Sequence, residues 1–120
     1  MLDFEDYSLT QPAMLVTIIT EVALQASLEK LLKNLKVYGY SVSAVPGAVK
    51  RLHQFGQLTP EESPAETEVE VEVEDYRVAN LEIRAVVSPE LANVILYALK
   101  EQQQQFPVLV YRQKVDALVE

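Results

Sequence analysis

Two short strand-like segments, YSVSAV at 40–45 and VANLEIRAVV at 78–87, are separated by a connection running from Pro46 to about Tyr76. That connection limits what the chain can fold into. A structureless stretch of this length inside a small domain is uncommon and costly to order, so it marks a binding segment, a lid or a disordered insertion. It also carries the charge imbalance. Glu61, Glu62, Glu66, Glu68, Glu70, Glu72, Glu74 and Asp75 crowd its second half with no Lys or Arg among them, whereas acids and bases balance in the rest of a chain whose net charge is −8. The body is therefore neutral, and residues 46–76 read as an arm that faces a partner or a ligand.

With 120 residues, the chain makes one domain with a single core. Its apolar runs are a few residues long, far short of the roughly 20 needed to cross a bilayer, so no direct membrane insertion is expected. The opening Met1-Leu2-Asp3-Phe4-Glu5-Asp6 has no secretory pattern, which makes a cytoplasmic home the expectation. The absence of cysteine excludes disulfides, thiolate catalysis and Cys-ligated metal sites together. Net negative charge opposes attraction to phosphate backbones, so nucleic acid is not an expected partner.

Residues 1–13 read as an N-terminal tail, with Leu2, Phe4, Tyr7 and Leu9 as anchors, and 14–120 as the folded domain. MLVTIIT at 14–20 is short, β-branched and apolar, as in a central strand covered on both faces. From about Ala23 to Val37, Leu24, Leu28, Leu31, Leu32 and Leu35 recur at helical spacing, and Gly39 is expected to stop that helix in the left-handed conformation. After strand two, Pro46-Gly47 turns the chain into the arm. Within the arm, the alternation from Glu66 to Glu74 suits a solvent-facing ribbon whose like charges make it marginal until paired. Strand three, 78–87, places Leu81, Ile83, Ala85 and Val87 on one face and Glu82, Arg84 and Val86 on the other. Ser88-Pro89-Glu90 opens a second helix running to about Gln105, with Leu91, Val94, Ile95, Ala98 and Leu99 inward and Ser88 as the capping hydroxyl. VLVYRQKV at 108–115 is the last strand.

The order βαββαβ folds, through right-handed crossovers, into an α+β ferredoxin-like sandwich: a four-stranded antiparallel sheet with both helices on one face. The uncovered face is expected to combine Val86, Val108 and Val110 with Glu82, Arg84, Arg112 and Lys114, and to be buried by other subunits packed sheet to sheet.

The segments MLVTIITEVALQASLEKLLKNLKVYGYSVSAVPGAVKR, NLEIRAVVSPELANVILYAL and VLVYRQKVDALVE resemble the PII and PII-like signal transduction proteins of the nitrogen regulatory superfamily, especially the cyanobacterial type. Gly39 to Gly47 (GYSVSAVPG) looks like the segment that leads into their long T-loop. The resemblance implies a homotrimer with ligand clefts between subunits, a T-loop here at 46–76 that engages a transporter or enzyme, and no catalysis. It also implies an adenine nucleotide or bicarbonate as effector. The ligand-binding residues it marks are Gly47, where backbone must approach the ligand closely, and Arg51, which falls where relatives carry an arginine; Lys50 joins them as a candidate through the local positive cluster it forms with Arg51 and His53. The chain departs from the pattern at Ala48-Val49-Lys50, at Gln102–Pro107 in place of a glycine-rich phosphate loop, and at its Leu118-Val119-Glu120 ending, which lacks arginines. These departures favour a smaller or less charged ligand than ATP, or a degenerate adaptor that binds no nucleotide.

His53 with Lys50 and Arg51 forms either an anion site at the base of the arm or an ordinary solvated stretch. A lone histidine is poor support for a CutA-type metal-binding trimer, the third reading. The glutamate run lacks the turning loop of a calcium cage and reads as a solvated flank or a face for a basic surface. No Walker, dinucleotide or Cys-His motif supports an enzyme.

Overall fold

The computed structural model describes residues 9–55 and 71–119, with 51–55 and 71–75 described at the level of the backbone. The elements are β1 (Gln11–Thr20), a 3-10 turn (Val22–Leu24), α1 (Gln25–Asn34), β2 (Gly39–Ala44), β3 (Ala48–Phe55), β4 (Val71–Val78), β5 (Leu81–Val87), α2 (Pro89–Gln102) and β6 (Val108–Ala117). Four strands form an antiparallel sheet in the order β2-β5-β1-β6, and β3 and β4 form a separate two-stranded ribbon. The sheet and two helices are the ferredoxin-like sandwich expected from the sequence. Strand β1 begins three residues before Met14, because Gln11, Pro12 and Ala13 pair with Ala117, Asp116 and Val115.

The core lies between the sheet and the helices. Val16, Ile18, Ile83, Ala85, Val87, Leu32, Ile95 and Leu99 are all essentially solvent-free. Their spacing explains it: alternate residues of β5 are buried, and α1 and α2 contribute stripes at Leu28/Leu32 and Ala92/Ile95/Leu99. A fully buried aliphatic side chain contributes about 2 kcal/mol at this level of burial. Val94, expected inward on α2, is 45% exposed. The buried stripe centres on Ala92, Ile95 and Leu99, which turns Val94 outward. Ser88 occupies the N-cap position without a side-chain cap bond; its carbonyl accepts from the Leu91 and Ala92 amides. The helix stops at Gln102 rather than Gln105, because the Gln102 carbonyl accepts both the Gln105 and Phe106 amides in a tight turn ahead of Pro107.

Helix α1 ends differently from expectation. Lys36, not Gly39, takes the left-handed conformation, with φ at 55°. The Val37 amide reaches back to the Leu32 carbonyl and the Lys36 amide to that of Lys33, the double hydrogen bond of a Schellman ending. A side chain in that conformation is strained by about 1–2 kcal/mol. Lys36→Gly is therefore expected to stabilise the protein by about 0.5–1 kcal/mol, net of the freedom glycine adds to the unfolded chain. Urea unfolding checks this, and a lower midpoint would contradict the assignment.

The uncovered face also differs. Cross-strand register pairs Val108 with Thr20, Val110 with Ile18, Arg112 with Val16 and Lys114 with Met14. These four β6 residues therefore share the helix-bearing face. Arg112 donates to Asn93 Oδ1 on α2 at 2.5 Å. Because β6 is the sheet edge, its long cationic side chains can run past that edge to water. The open face instead carries Leu15, Thr17 and Ile19 of β1, Glu82, Arg84 and Val86 of β5, and Leu109, Tyr111, Gln113 and Val115 of β6. The β5 residues lie where the alternation placed them, and those of β6 lie on the opposite face.

Candidate functional site at the root of the arm

The arm is a continuation of the β2–β5 pair. Ala44 pairs with Leu81, and the Val45 amide donates to the Asn80 carbonyl at 3.1 Å. Beyond Pro46, the Ala79 amide donates to the Gly47 carbonyl at 2.9 Å, and Ala48 pairs with Val78. Pro46 is thus the unmatched residue of a β-bulge, a position that suits a residue without an amide hydrogen. The chain does not turn at Pro46-Gly47; it passes through the bulge into a ribbon. Asn80 holds the junction to the body, its Oδ1 accepting the Val22 amide at 3.1 Å.

Gly47 sits where two backbones meet. A Cβ there would lie 3.1 Å from the Ala79 carbonyl oxygen, a tight contact that requires the facing backbone to give by a few tenths of an ångström. The glycine suits the close approach of the two backbones at the arm root and does so without a positive φ. Lys50 is exposed on β3, three residues along, directly across from Tyr76. Arg51 stands in register with Asp75, and His53 with Val73. The side chains of Arg51 and His53 fall outside the described residues, as do Glu61 to Glu70 of the acidic run. From Val71 onward that run is strand, paired with Ala48–Phe55.

The ribbon has unlike faces. Val49 is 4% exposed, while Tyr76 and Val78, on the opposite face, are 68% and 70% exposed. Asn80 and Pro46 were not singled out as site residues in the sequence. Asn80 interrupts an otherwise β-favouring stretch between Val78 and Leu81, and that was the available signal.

The turn between α2 and β6 is closed on itself. The amides of Gln103, Gln105 and Phe106 donate to carbonyls of Leu99 and Gln102, and Gln103 Nε2 donates to the Val108 carbonyl at 3.1 Å. Among the described residues no three His, Asp or Glu side chains cluster as metal ligands.

An antiparallel βαββαβ sandwich with a ribbon rising between its second and third sheet strands is the architecture of a ferredoxin-like domain carrying a long arm. The particular version is the PII-like fold. A PII-like signalling protein from Thermus thermophilus matches with a TM-score of 0.61 at 24% identity over 91% of each chain. CPII from Thiomonas intermedia, a nitrogen regulatory PII-like protein bound to ADP, AMP and bicarbonate, matches with a TM-score of 0.60 at 17% identity over 90% of this chain and 94% of its own. Its apo form matches at 0.57, also with 17% identity, over the same shares. No protein-family model matches the sequence, and no curated protein does.

Proposed function

We propose that this chain is a PII-like regulator: a cytoplasmic homotrimer that senses a small molecule and engages a transporter or metabolic enzyme through residues 46–76. The observation that carries the reading is the arm root. A two-stranded arm joined to the sheet through one bulge, with a glycine packed against Ala79, couples whatever binds near Gly47, Lys50 and Arg51 to the direction the arm takes. Ligand shifts the arm only if it binds one arrangement more tightly than the other. The acidic half then meets a basic surface on the target, an encounter that weakens with salt.

CPII was crystallised with ADP, AMP and bicarbonate, which supports an adenine nucleotide or bicarbonate as effector. The self-closed turn at Gln102–Pro107 argues against a triphosphate held there, so AMP, ADP and bicarbonate are preferred over ATP. No role in catalysis, metal storage or nucleic-acid binding is assigned. The test is calorimetric titration with ATP, ADP, AMP, cyclic AMP and bicarbonate, repeated on Arg51→Ala, with mass measured by light scattering. Saturable binding to a trimer, weakened about tenfold or more in the variant, is the expected result. A trimer that binds none of them supports the second reading, a ligand-independent adaptor, which the closed turn also favours.

A further inference from the structure

Both strands of the arm lose their ladder at the same level. β2 ends at Ala44 and β3 begins at Ala48, while β4 ends at Val78 and β5 begins at Leu81. Across this gap the Val45 amide donates to the Asn80 carbonyl and the Ala79 amide to the Gly47 carbonyl, so the two strands stay joined to each other. The ladders on either side are offset by the unmatched residue, since Ala44 pairs with Leu81 below and Ala48 with Val78 above. Such an offset adds local twist and leaves a place where one ladder can rotate against the other.

The Asn80 side chain ties this joint to a third element. Its Oδ1 accepts the Val22 amide at 3.1 Å, in the turn that leads from β1 to α1. Nothing in the backbone demands an asparagine at 80, because its φ is not positive. What it grips is firmly held. The Leu24 amide closes the turn on the Glu21 carbonyl, and Leu24 itself belongs to the core. One step before the turn, the buried Thr20 hydroxyl donates to the Pro107 carbonyl at 2.7 Å. Within the ribbon, the buried Val49 gives the arm an apolar footing.

Asn80 and Val22 are both exposed, so when their bond opens, water takes up the amide and the carboxamide, and no polar group is stranded. An exchange of that kind is nearly balanced, whereas a buried bond would hold the arm fast. A reversible catch needs the first sort.

We propose that Asn80 is the catch of a hinge at the foot of the arm. With its side chain on the Val22 amide, the ribbon holds one direction. With that bond open, the ribbon turns as a unit about the joint at 45–47 and 79–80. Asn80 is a positioning residue: it touches no ligand and acts through the direction of β3 and β4. The inference rests on the arm-root reading in taking residues 46–76 as the part that moves, and its test uses no ligand.

The test is the distance between two nitroxide labels in the full chain, whose lack of cysteine lets Lys33→Cys on α1 and Tyr76→Cys on β4 be labelled alone. Both positions are exposed. Labelled chains are diluted into unlabelled ones so that pairs within one chain report. The parent, Asn80→Ala and Asn80→Asp are compared by pulsed EPR, and a second pair, Lys33→Cys with Lys100→Cys on α2, reports on the body. One dominant arm distance is expected in the parent. In Asn80→Ala the population of displaced arms rises about fivefold, as the loss of one exposed hydrogen bond dictates. Asn80→Asp, whose carboxylate still accepts the Val22 amide, keeps the parent distance. The body pair stays unchanged throughout. The proposal is overturned if Asn80→Ala leaves the arm distance as it was, or if Asn80→Asp displaces the arm as much. It is equally overturned if the body pair shifts along with the arm, since the substitution would then loosen the whole fold. Ligand titrations can fail while the labels report the hinge, and the hinge can fail while a ligand still binds.

Discussion

In the proposed homotrimer, Leu109→Glu should break the assembly into monomers, a threefold fall in mass by light scattering, while Val94→Glu leaves the mass unchanged. The two aliphatic positions make a matched pair, 46% and 45% exposed in the single chain. They differ in face. Leu109 lies on the open side of the sheet beside Ile19, and Val94 points away from the core on α2. If subunits pack sheet to sheet, a buried unpaired carboxylate at 109 costs about 3–5 kcal/mol at each interface, a weakening of each contact by roughly a hundredfold or more. A trimer that persists in Leu109→Glu and dissociates in Val94→Glu would put the interface on the helices and remove the expected intersubunit clefts.

Ile18→Ala carries the largest expected effect on stability, a loss of about 3–5 kcal/mol. Ile18 has no solvent exposure and stands near the end of β1, one of the two inner strands, paired with Ile83 on one side and Val110 on the other. Removing its three outer carbons leaves a space that two neighbouring strands and two helices cannot all close together. Against the roughly 5–15 kcal/mol that a domain of this kind possesses, such a loss brings unfolding close to ambient temperature. Ile18→Val should cost about 1 kcal/mol and Val94→Ala less than about 0.5. Urea titration of the three variants gives the comparison. Equal losses at 18 and 94 would mean that α2 is covered on its outer side.

The central sheet and helices were legible because each buries one face and shows it by period. Residues 81–87 alternate, and leucines 24, 28 and 32 recur at helical steps. Strand β6 was harder. Its two faces read Val-Val-Arg-Lys and Leu-Tyr-Gln-Val, nearly equal in apolar content, so only register with β1 decides which meets the helices. The helix ending at Lys36 was missed because glycine is the usual occupant of a left-handed position and one stood three residues away. Strand β3 was missed because AVKRLHQF has no clean alternation, and its pairing with an acidic strand is a long-range fact. Of the candidate site, Gly47 was found through resemblance, and close packing against Ala79 is the physical reason for a glycine there. Nothing local in the sequence marks Asn80 and Val22 as partners, since 58 positions separate two residues that the fold brings into hydrogen-bond contact.

The unmatched proline at 46 divides the molecule into parts that answer to different rules. Below it, every strand is tied into a common ladder, so a residue gained or lost would reverse inside and outside throughout the domain. Above it, the ribbon is paired only with itself and can change length in matched steps without disturbing the body's alignment. The architecture is modular in that sense: reach and surface chemistry of the arm are free to vary, while the scaffold that presents it stays fixed.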